Sequence, residues 1–399
     1  MDSGRKKGSF SYNRVEIDLD ALQDNYRSIQ QTVGPRVRVM AIVKSDAYGH
    51  GLIQAARSLS AAGARTFGVA EVEEGGALRK AGLAGEIIVL LGPAPETYDD
   101  IIRYDLTPVV FDRDNLAGLA ARARAAGREI PVHVKVDVGM GRLGIMPDEV
   151  PSFFRALDEL EGVYPAGILS HLPMAEDATS AQTAGHVQHF RDITARLQQH
   201  GGRPLAHIAN SAALSNNYGT HLDMVRPGIS LYGCYPERLD KEKSLLRLRP
   251  VMRFKTRVLQ VKEVEAGVGI SYGHIFVTQR KSRVAVLPVG YDDGYLRRLS
   301  NRAQVLIRGQ RAPVIGRVCM NACMVDITDL AGGETVRAGD EVVLLGQQQQ
   351  EEITAEEVAE WLETITYEVF CLFGGKNKRV YLAAADGRIE ENGVRERND

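Results

Sequence analysis

Between Val37 and about Gly233 short apolar runs alternate with amphipathic stretches, and this alternation limits the fold more than any other feature of the chain. The runs are VRVMAIV (37–43), TFGVAEV (66–72), EIIVLLG (86–92), LTPVVF (106–111), PVHVKVDV (131–138), PAGILSH (165–171), PLAHIAN (204–210) and MVRPGISLYG (224–233). Each is short, rich in β-branched residues and bounded by turn formers, so each reads as a buried strand. Between them Leu52, Ala55, Ala56, Leu59 and Ala62 recur at helical spacing, and 114–126, 149–160 and 181–199 carry helical patterns. Strands alternating with helices predict a parallel sheet. Eight units within roughly 200 residues predict a closed (β/α)₈ TIM-like barrel, because such barrels typically need about 250. An open doubly wound sheet of six or seven strands is the alternative.

The pattern changes after Arg247. Residues 251–265 read as one long strand, and further strands are predicted over 284–289, 304–307, 312–318, 322–327 and 341–345, between turns rich in Gly, Asp and Asn. One helix interrupts them at 354–362, with Thr354 as N-cap and Glu357 completing a capping box. The expected domains are therefore a barrel over 1–245 and a mainly antiparallel β domain over 246–385. The alternating Asn13–Asp20 segment precedes the barrel and is expected to pair with the second domain. Gln347–Gln350 reads as an exposed loop, and 386–399 as a disordered tail.

The chain carries 49 basic and 51 acidic side chains, so nothing argues for a nucleic-acid or anionic-membrane surface. The positive start MDSGRKKGSFSYN has no apolar stretch behind it, and no long apolar run follows, so a cytoplasmic protein is expected. Four cysteines in 399 residues do not form a disulfide framework, and Cys319 and Cys323 lack the partners of a zinc site.

Polar residues that suit chemistry collect just after the apolar runs. Lys44 ends the first, ahead of the turn-forming Asp46-Ala-Tyr48-Gly-His-Gly51. It reads either as a solvated strand end or as an amine able to form a Schiff base in a desolvating site. Arg142 follows the fifth run inside Gly139-Met-Gly141-Arg142-Leu-Gly144. This formally matches a dinucleotide fingerprint, but Pro147 stands where the helix should open, so the glycines are read as a tight turn that projects Arg142. His171 is open as a base or as a core histidine. Ser211, after Asn210, is open as a phosphate ligand or as a helix N-cap. Arg226-Pro-Gly228-Ile229 is a turn whose amides suit an anion. In the second domain Tyr272 lies in a polar turn, where a phenol either packs or transfers protons. In a barrel, residues after the strands share the C-terminal mouth.

Taken together these segments closely resemble the alanine racemase family. The likeness runs through Lys44-Ser-Asp-Ala-Tyr48-Gly-His-Gly51, Lys135-Val-Asp-Val-Gly-Met-Gly-Arg142-Leu-Gly, Ser170-His171, Ala209-Asn210-Ser211, Met224-Val-Arg226-Pro-Gly228-Ile229, Ser271-Tyr272-Gly273, Gly290-Tyr291-Asp-Asp-Gly-Tyr and Gly316-Arg317-Val-Cys319-Met320, from about residue 12 to residue 383. The resemblance implies a barrel followed by a β domain, and a cytoplasmic homodimer that interconverts L- and D-alanine with pyridoxal 5′-phosphate. The D-alanine would supply cell-wall peptidoglycan. Lys44 would hold the cofactor and act as one base, with Tyr272 of the partner subunit as the other. Tyr48, Ser211, Gly228 and Ile229 would hold the cofactor's phosphate, and Asn210 would be a further cofactor-binding residue. Arg226 would face the pyridine nitrogen, backed by His171. Arg142 would contact the cofactor or the substrate carboxylate, and the amide of Met320 of the partner subunit that carboxylate. Lys135 matches a lysine carbamylated in many relatives. Asn321 stands where many members have aspartate, and Gly375 near where some carry a tyrosine by the phosphate. These departures leave a serine or broad-specificity racemase as the alternative, and a non-catalytic pyridoxal-phosphate protein as a more distant one.

Overall fold

Each of the eight apolar runs becomes one strand of a parallel barrel: β2 (Arg38–Ile42), β3 (Thr66–Val69), β4 (Glu86–Val89), β5 (Thr107–Val110), β6 (Ile130–Lys135), β7 (Val163–Leu169), β8 (Leu205–His207) and β9 (Met224–Val225). The computed structural model describes residues 11–177, 179–199, 203–216, 219–236, 244, 246–383 and 390–392. Neighbouring strands pair in the order β8-β7-β6-β5-β4-β3-β2-β9. Asp223 N donates to Ala206 O at 3.1 Å and Arg226 N to Ala209 O at 2.9 Å, which joins the two ends of that row. The open-sheet alternative is thereby set aside. Strands buried on both faces carry continuous apolar runs, and β3 and β5 are buried along their whole length.

Helices α1 (Leu19–Val33), α3 (Leu52–Ala61), α4 (Val72–Lys80), α5 (Tyr98–Arg103), α6 (Arg113–Ala125), α7 (Val150–Asp158), α8 (Ala181–Gln199) and α9 (Ser211–Asn216) join the strands. Their spacing explains their packing. In α7 Val150, Phe153, Phe154 and Leu157 are buried at positions i, i+3, i+4 and i+7, each side chain contributing about 1.5–3 kcal/mol.

The remaining helical segment, α2 (Lys44–Tyr48), is a single left-handed turn. Ser45, Asp46, Ala47 and Tyr48 have φ of 54°, 55°, 54° and 54°. For residues with a Cβ this costs roughly 1–2 kcal/mol each, so surrounding bonds must hold it. Ala47 N donates to Val43 O at 2.8 Å, Leu52 N to Asp46 Oδ1 at 2.8 Å, and Ser45 N to Glu74 Oε1 at 2.6 Å.

The chain divides into two compact units, one of Ala21–Ala47 and Leu52–Arg249, the other of Met1–Asp20, Tyr48–Gly51 and Pro250–Asp399. In the second, β1 (Arg14–Asp18) pairs antiparallel with β10 (Met252–Arg257) and parallel with β20 (Arg379–Leu382). The sheet runs β11-β14-β17-β16-β15-β18-β10-β1-β20-β21, with β11 (Gln260–Val264), β14 (Ser282–Leu287), β15 (Gln304–Ile307), β16 (Gln310–Ile315), β17 (Cys323–Asp326), β18 (Glu341–Gln348) and β21 (Glu390–Asn392). β19 (Glu351–Ile353) pairs with β18, and β12 (Gly269–Ile270) with β13 (Phe276–Val277).

Four expectations change. Residues 251–265 form two strands with different partners, because Val258 N bonds Asp340 O and Leu259 N bonds Val286 O, which splits the run. Besides α10 (Ala355–Leu362), capped by Thr354 and Glu357 as expected, there is a second helix, α11 (Thr366–Lys376). Its β-branched, aromatic and glycine residues are poor helix formers, and burial of Thr366, Val369, Phe370 and Phe373 overrides that preference. Gln347 and Gln348 extend β18, leaving only 349–350 as the turn. Within the expected disordered tail Glu390–Asn392 pairs with β20, and the rest lies outside the described residues.

One glycine carries a testable consequence. Gly167 in β7 sits beside His133 in β6, and a Cβ there would lie 2.4 Å from the imidazole. Gly167→Ala is expected to destabilise the fold by about 1–3 kcal/mol through overpacking, read as a lowered urea midpoint.

Candidate active site

The barrel brings most of the predicted residues to one end of its strands. Lys44 stands two residues beyond β2, and that strand end is tied to the loop after β9. Ile42 N donates to Pro227 O at 3.1 Å, and Tyr232 Oη donates to Ile42 O at 2.8 Å. Ser211, buried at the start of α9, accepts from Gly228 N at 3.0 Å and Ser230 N at 3.3 Å, so its hydroxyl sits in a cup of amides. Gly228 and Ile229 line the same buried turn. The N-cap reading of Ser211 gives way to Asn210, whose Oδ1 accepts from Ala213 N at 3.0 Å. Ser170 Oγ and Ser230 Oγ are buried without a hydrogen-bond partner.

Arg226 is buried at the end of β9. Its Nη2 donates to Ser170 O at 2.6 Å and Ile208 O at 3.2 Å and lies 3.5 Å from His171 Nδ1. Its Nη1 donates to His207 Nδ1 at 3.0 Å. His207 is the shorter imidazole contact, and sequence reasoning, which looked to His171, missed it. The signal was available: His133 and His207 are polar residues within otherwise apolar barrel runs. Burial holds Arg226 down to about 10, so it remains charged at neutral pH.

Lys135, the last residue of β6, is buried. Burial, then Arg142, Arg226 and Lys44, lower its amine to about 8, against the opposing pull of Asp137. Burial, then Arg226, Arg142, Lys135 and Lys44, hold His171 at about 3, so it is neutral. Arg142 is exposed on the Gly139–Gly144 loop. Asp137 shapes that loop by accepting from Gly139 N at 2.9 Å, Met140 N at 2.7 Å and Arg142 N at 2.9 Å. Lys44, Lys135, Arg142 and Arg226 thus concentrate positive charge at one mouth, beside a serine in a ring of amides. Such a donor set suits an anionic group with a phosphate at one end.

In the second unit Tyr272 and Met320 are exposed, at 71% and 54%. Ser271 Oγ donates to Arg317 O at 2.7 Å and lies 3.4 Å from Cys319 Sγ, so the tyrosine turn is fastened to the Met320 segment. Tyr291 N and Asp292 N donate to Cys319 O and Met320 O, both at 3.1 Å. Val268, Ile275 and Val277 add exposed apolar surface around Tyr272. Tyr48, also in this unit, is buried, which pushes its phenol above the usual range, with Tyr367 and Cys371 adding to the effect. Tyr367 packs its ring 5.8 Å from that of Tyr48. A Cβ at Gly375 would meet nothing within 4 Å. The ring beside Tyr48 is that of Tyr367, in the first turn of α11, the helix that sequence reasoning missed.

Two family models match the chain: "Alanine racemase, N-terminal domain" over residues 17–236 and "Alanine racemase, C-terminal domain" over 251–381. An alanine racemase of Syntrophobacter fumaroxidans is 44% identical over 364 residues, covering 91% of this chain and 96% of that one. The structure of an alanine racemase from Clostridium difficile superposes with a TM-score of 0.88 at 32% identity, covering 96% and 99% of the two chains. One from Bartonella henselae, solved with covalently bound pyridoxal phosphate, superposes at 0.84 with 30% identity, over 94% and 100%.

The loop amides outweigh the burial that would raise Asp137, and its carboxyl is held below the usual range. A depressed acid stabilises the fold above its unfolded pKa, near 4, and the contribution is lost as pH falls through the folded value. Asp137→Ala is therefore expected to cost of order 1 kcal/mol at pH 7, after allowance for solvent screening. The gap between wild type and variant in urea midpoint should close below pH 4.

Proposed function

The chain belongs to the alanine racemase family, and on that premise we propose that it interconverts L-alanine and D-alanine with pyridoxal 5′-phosphate as cofactor. The family is one of pyridoxal-phosphate-dependent isomerases. The observation that carries the proposal is that the family match runs through both units, so the segments of Lys44 and of Tyr272 both fall inside it. The concentration of cations at the barrel mouth and the amide-ringed Ser211 fit the cofactor's charge.

When bound, pyridoxal phosphate supplies an electron sink that acidifies the α-C–H of the substrate. Inversion then needs one group to remove the α-proton and a second to deliver one to the other face. In this reading Lys44, which also holds the cofactor, is one, and Tyr272 of a partner subunit is the other. Tyr48, Ser211, Gly228 and Ile229 would hold the phosphate, with Asn210 capping α9 next to Ser211. Arg226 would face the ring nitrogen as a donor that keeps its proton, which would leave the sink weak and disfavour side reactions. Lys135, with an amine near 8, has a neutral fraction at physiological pH. Attack of that nitrogen on carbon dioxide, with loss of a proton, would place a carbamate among the cations and anchor Arg142. Arg142 and the backbone amide of Met320 of the partner subunit would bind the substrate carboxylate.

The exposed apolar cluster around Tyr272 supports a homodimer with shared active sites. No described helix is long and apolar enough to cross a membrane. We assign the enzyme to the cytoplasm and its D-alanine to peptidoglycan synthesis. Asn321, exposed beside Met320, favours a second reading in which serine or larger amino acids are also accepted.

Chiral analysis after incubation with L-alanine and L-serine tests the substrate. Faster formation of D-alanine supports the first reading, and preference for D-serine replaces it with the second. Lys44→Ala should lose the visible absorption of the bound cofactor and all but a trace of activity, while an unchanged rate sinks the mechanism. Hybrid dimers of Lys44→Ala and Tyr272→Ala chains should regain activity, since one of their two sites is then intact. No recovery in confirmed hybrids would mean that both bases come from one chain.

A further inference from the structure

Behind Arg226 a line of buried groups runs back through the barrel. Arg226 Nη1 is 3.0 Å from His207 Nδ1, and His207 Nε2 is 2.8 Å from His133 Nδ1. The remaining nitrogen, His133 Nε2, is buried with no hydrogen-bond partner, and it lies 3.8 Å from Glu86 Oε1. Arg226 follows the end of β9 and His207 ends β8, whereas His133 lies within β6 and Glu86 begins β4. The line therefore connects the carboxyl ends of the barrel strands with an amino end. Gly167 leaves the space that the His133 ring occupies.

The direction of this line follows from one chemical fact. A guanidinium donates hydrogen bonds and accepts none. His207 Nδ1 must then be the bare nitrogen, and the proton of the neutral ring must sit on Nε2. From there it is given to His133 Nδ1, which leaves the His133 proton on Nε2, beside Glu86. One obligate donor thus dictates both tautomers. Burial, then Arg226, keeps both rings neutral, holding His133 at about 3 and His207 well below its ordinary range. Burial raises the Glu86 carboxyl above the usual range, and the other groups near the far end oppose that: Arg38, which favours its charged form, and Thr66 Oγ1, 3.5 Å from Glu86 Oε2. Apolar side chains would fill this space without the cost of burying three polar groups.

We propose that Glu86, His133 and His207 are positioning residues for Arg226: the carboxylate at the amino end of the barrel orients the His133 N–H, and the two rings carry that orientation to Nη1. Backbone carbonyls of Ser170 and Ile208 hold Nη2, so the relay settles the arm of the guanidinium that they leave free. The inference rests on the reading above that Arg226 faces the cofactor's ring nitrogen.

Selective ¹⁵N-histidine labelling of the wild-type holoenzyme reads the tautomers directly, with His133→Gln and His207→Gln identifying the signals. Both rings are expected to be neutral with the proton on Nε2. A proton on Nδ1 of either, or an imidazolium, overturns the proposal. Glu86→Leu should shift the His133 Nε2 resonance, displace the visible band of the bound cofactor and raise the Kd for pyridoxal phosphate about threefold or more. Glu86→Gln keeps an acceptor and should bring that Kd back to within about twofold of wild type. A folded Glu86→Leu protein with unchanged Kd and band also overturns it, and if that variant does not fold, the wild-type tautomers decide. Loss of the visible band in Lys44→Ala alongside no effect in Glu86→Leu would refute the relay and leave the racemase reading standing.

Discussion

A guanidinium buried at the end of a barrel strand cannot shed its proton and cannot be left without acceptors. Much of the site can be read as the answer to that demand. The carbonyls of Ser170 and Ile208 take one arm of Arg226, and His207 takes the other. Burial, reinforced by the positive charge that remains, depresses the proton affinity of Lys135, His133, His171 and His207 around it. A mouth built this way repels further cations and has room for anions, and it keeps its histidines neutral. The chemistry the barrel itself offers there is thus that of amines and fixed donors, with histidine left out as an acid.

The barrel was legible because its signal is redundant. Eight separate apolar runs repeat it, so the parallel α/β pattern does not rest on any one of them. The second unit was less so, since its strands depend on which partner each finds. Residues 251–265 look uniform along the chain, yet Val258 and Leu259 bond in different directions and break them in two. Helix α11 shows the same limit from the other side. Its residues prefer strands, and only the apolar surface buried by Phe370 and Phe373 makes the helix pay.

For the site, Lys44, Arg142, His171 and Arg226 were visible because they follow apolar runs and a barrel brings such residues together, whereas Lys135 was named only through the family resemblance. The groups that lie deeper were not. His133 and His207 interrupt apolar runs, but a polar residue within a strand reads as a satisfied core residue until its partners are known. Tyr367 was hidden for a different reason, because the helix that carries it was itself unread. The cap open to Ser211 falls to Asn210, since it goes to whichever side chain reaches Ala213 N, and Ser211 is already committed to Gly228 and Ser230.

The left-handed turn after Lys44 bears on how that lysine adjusts. The left-handed basin is small and walled by steric clashes for any residue with a Cβ, and four such residues in succession occupy it. A hinge needs neighbouring conformations of similar energy, and this segment has none nearby. The backbone at Lys44 is therefore an abutment. Any displacement of the amine as it changes partners must be taken up by rotation about the four bonds of its own side chain, while the point from which that side chain hangs stays put.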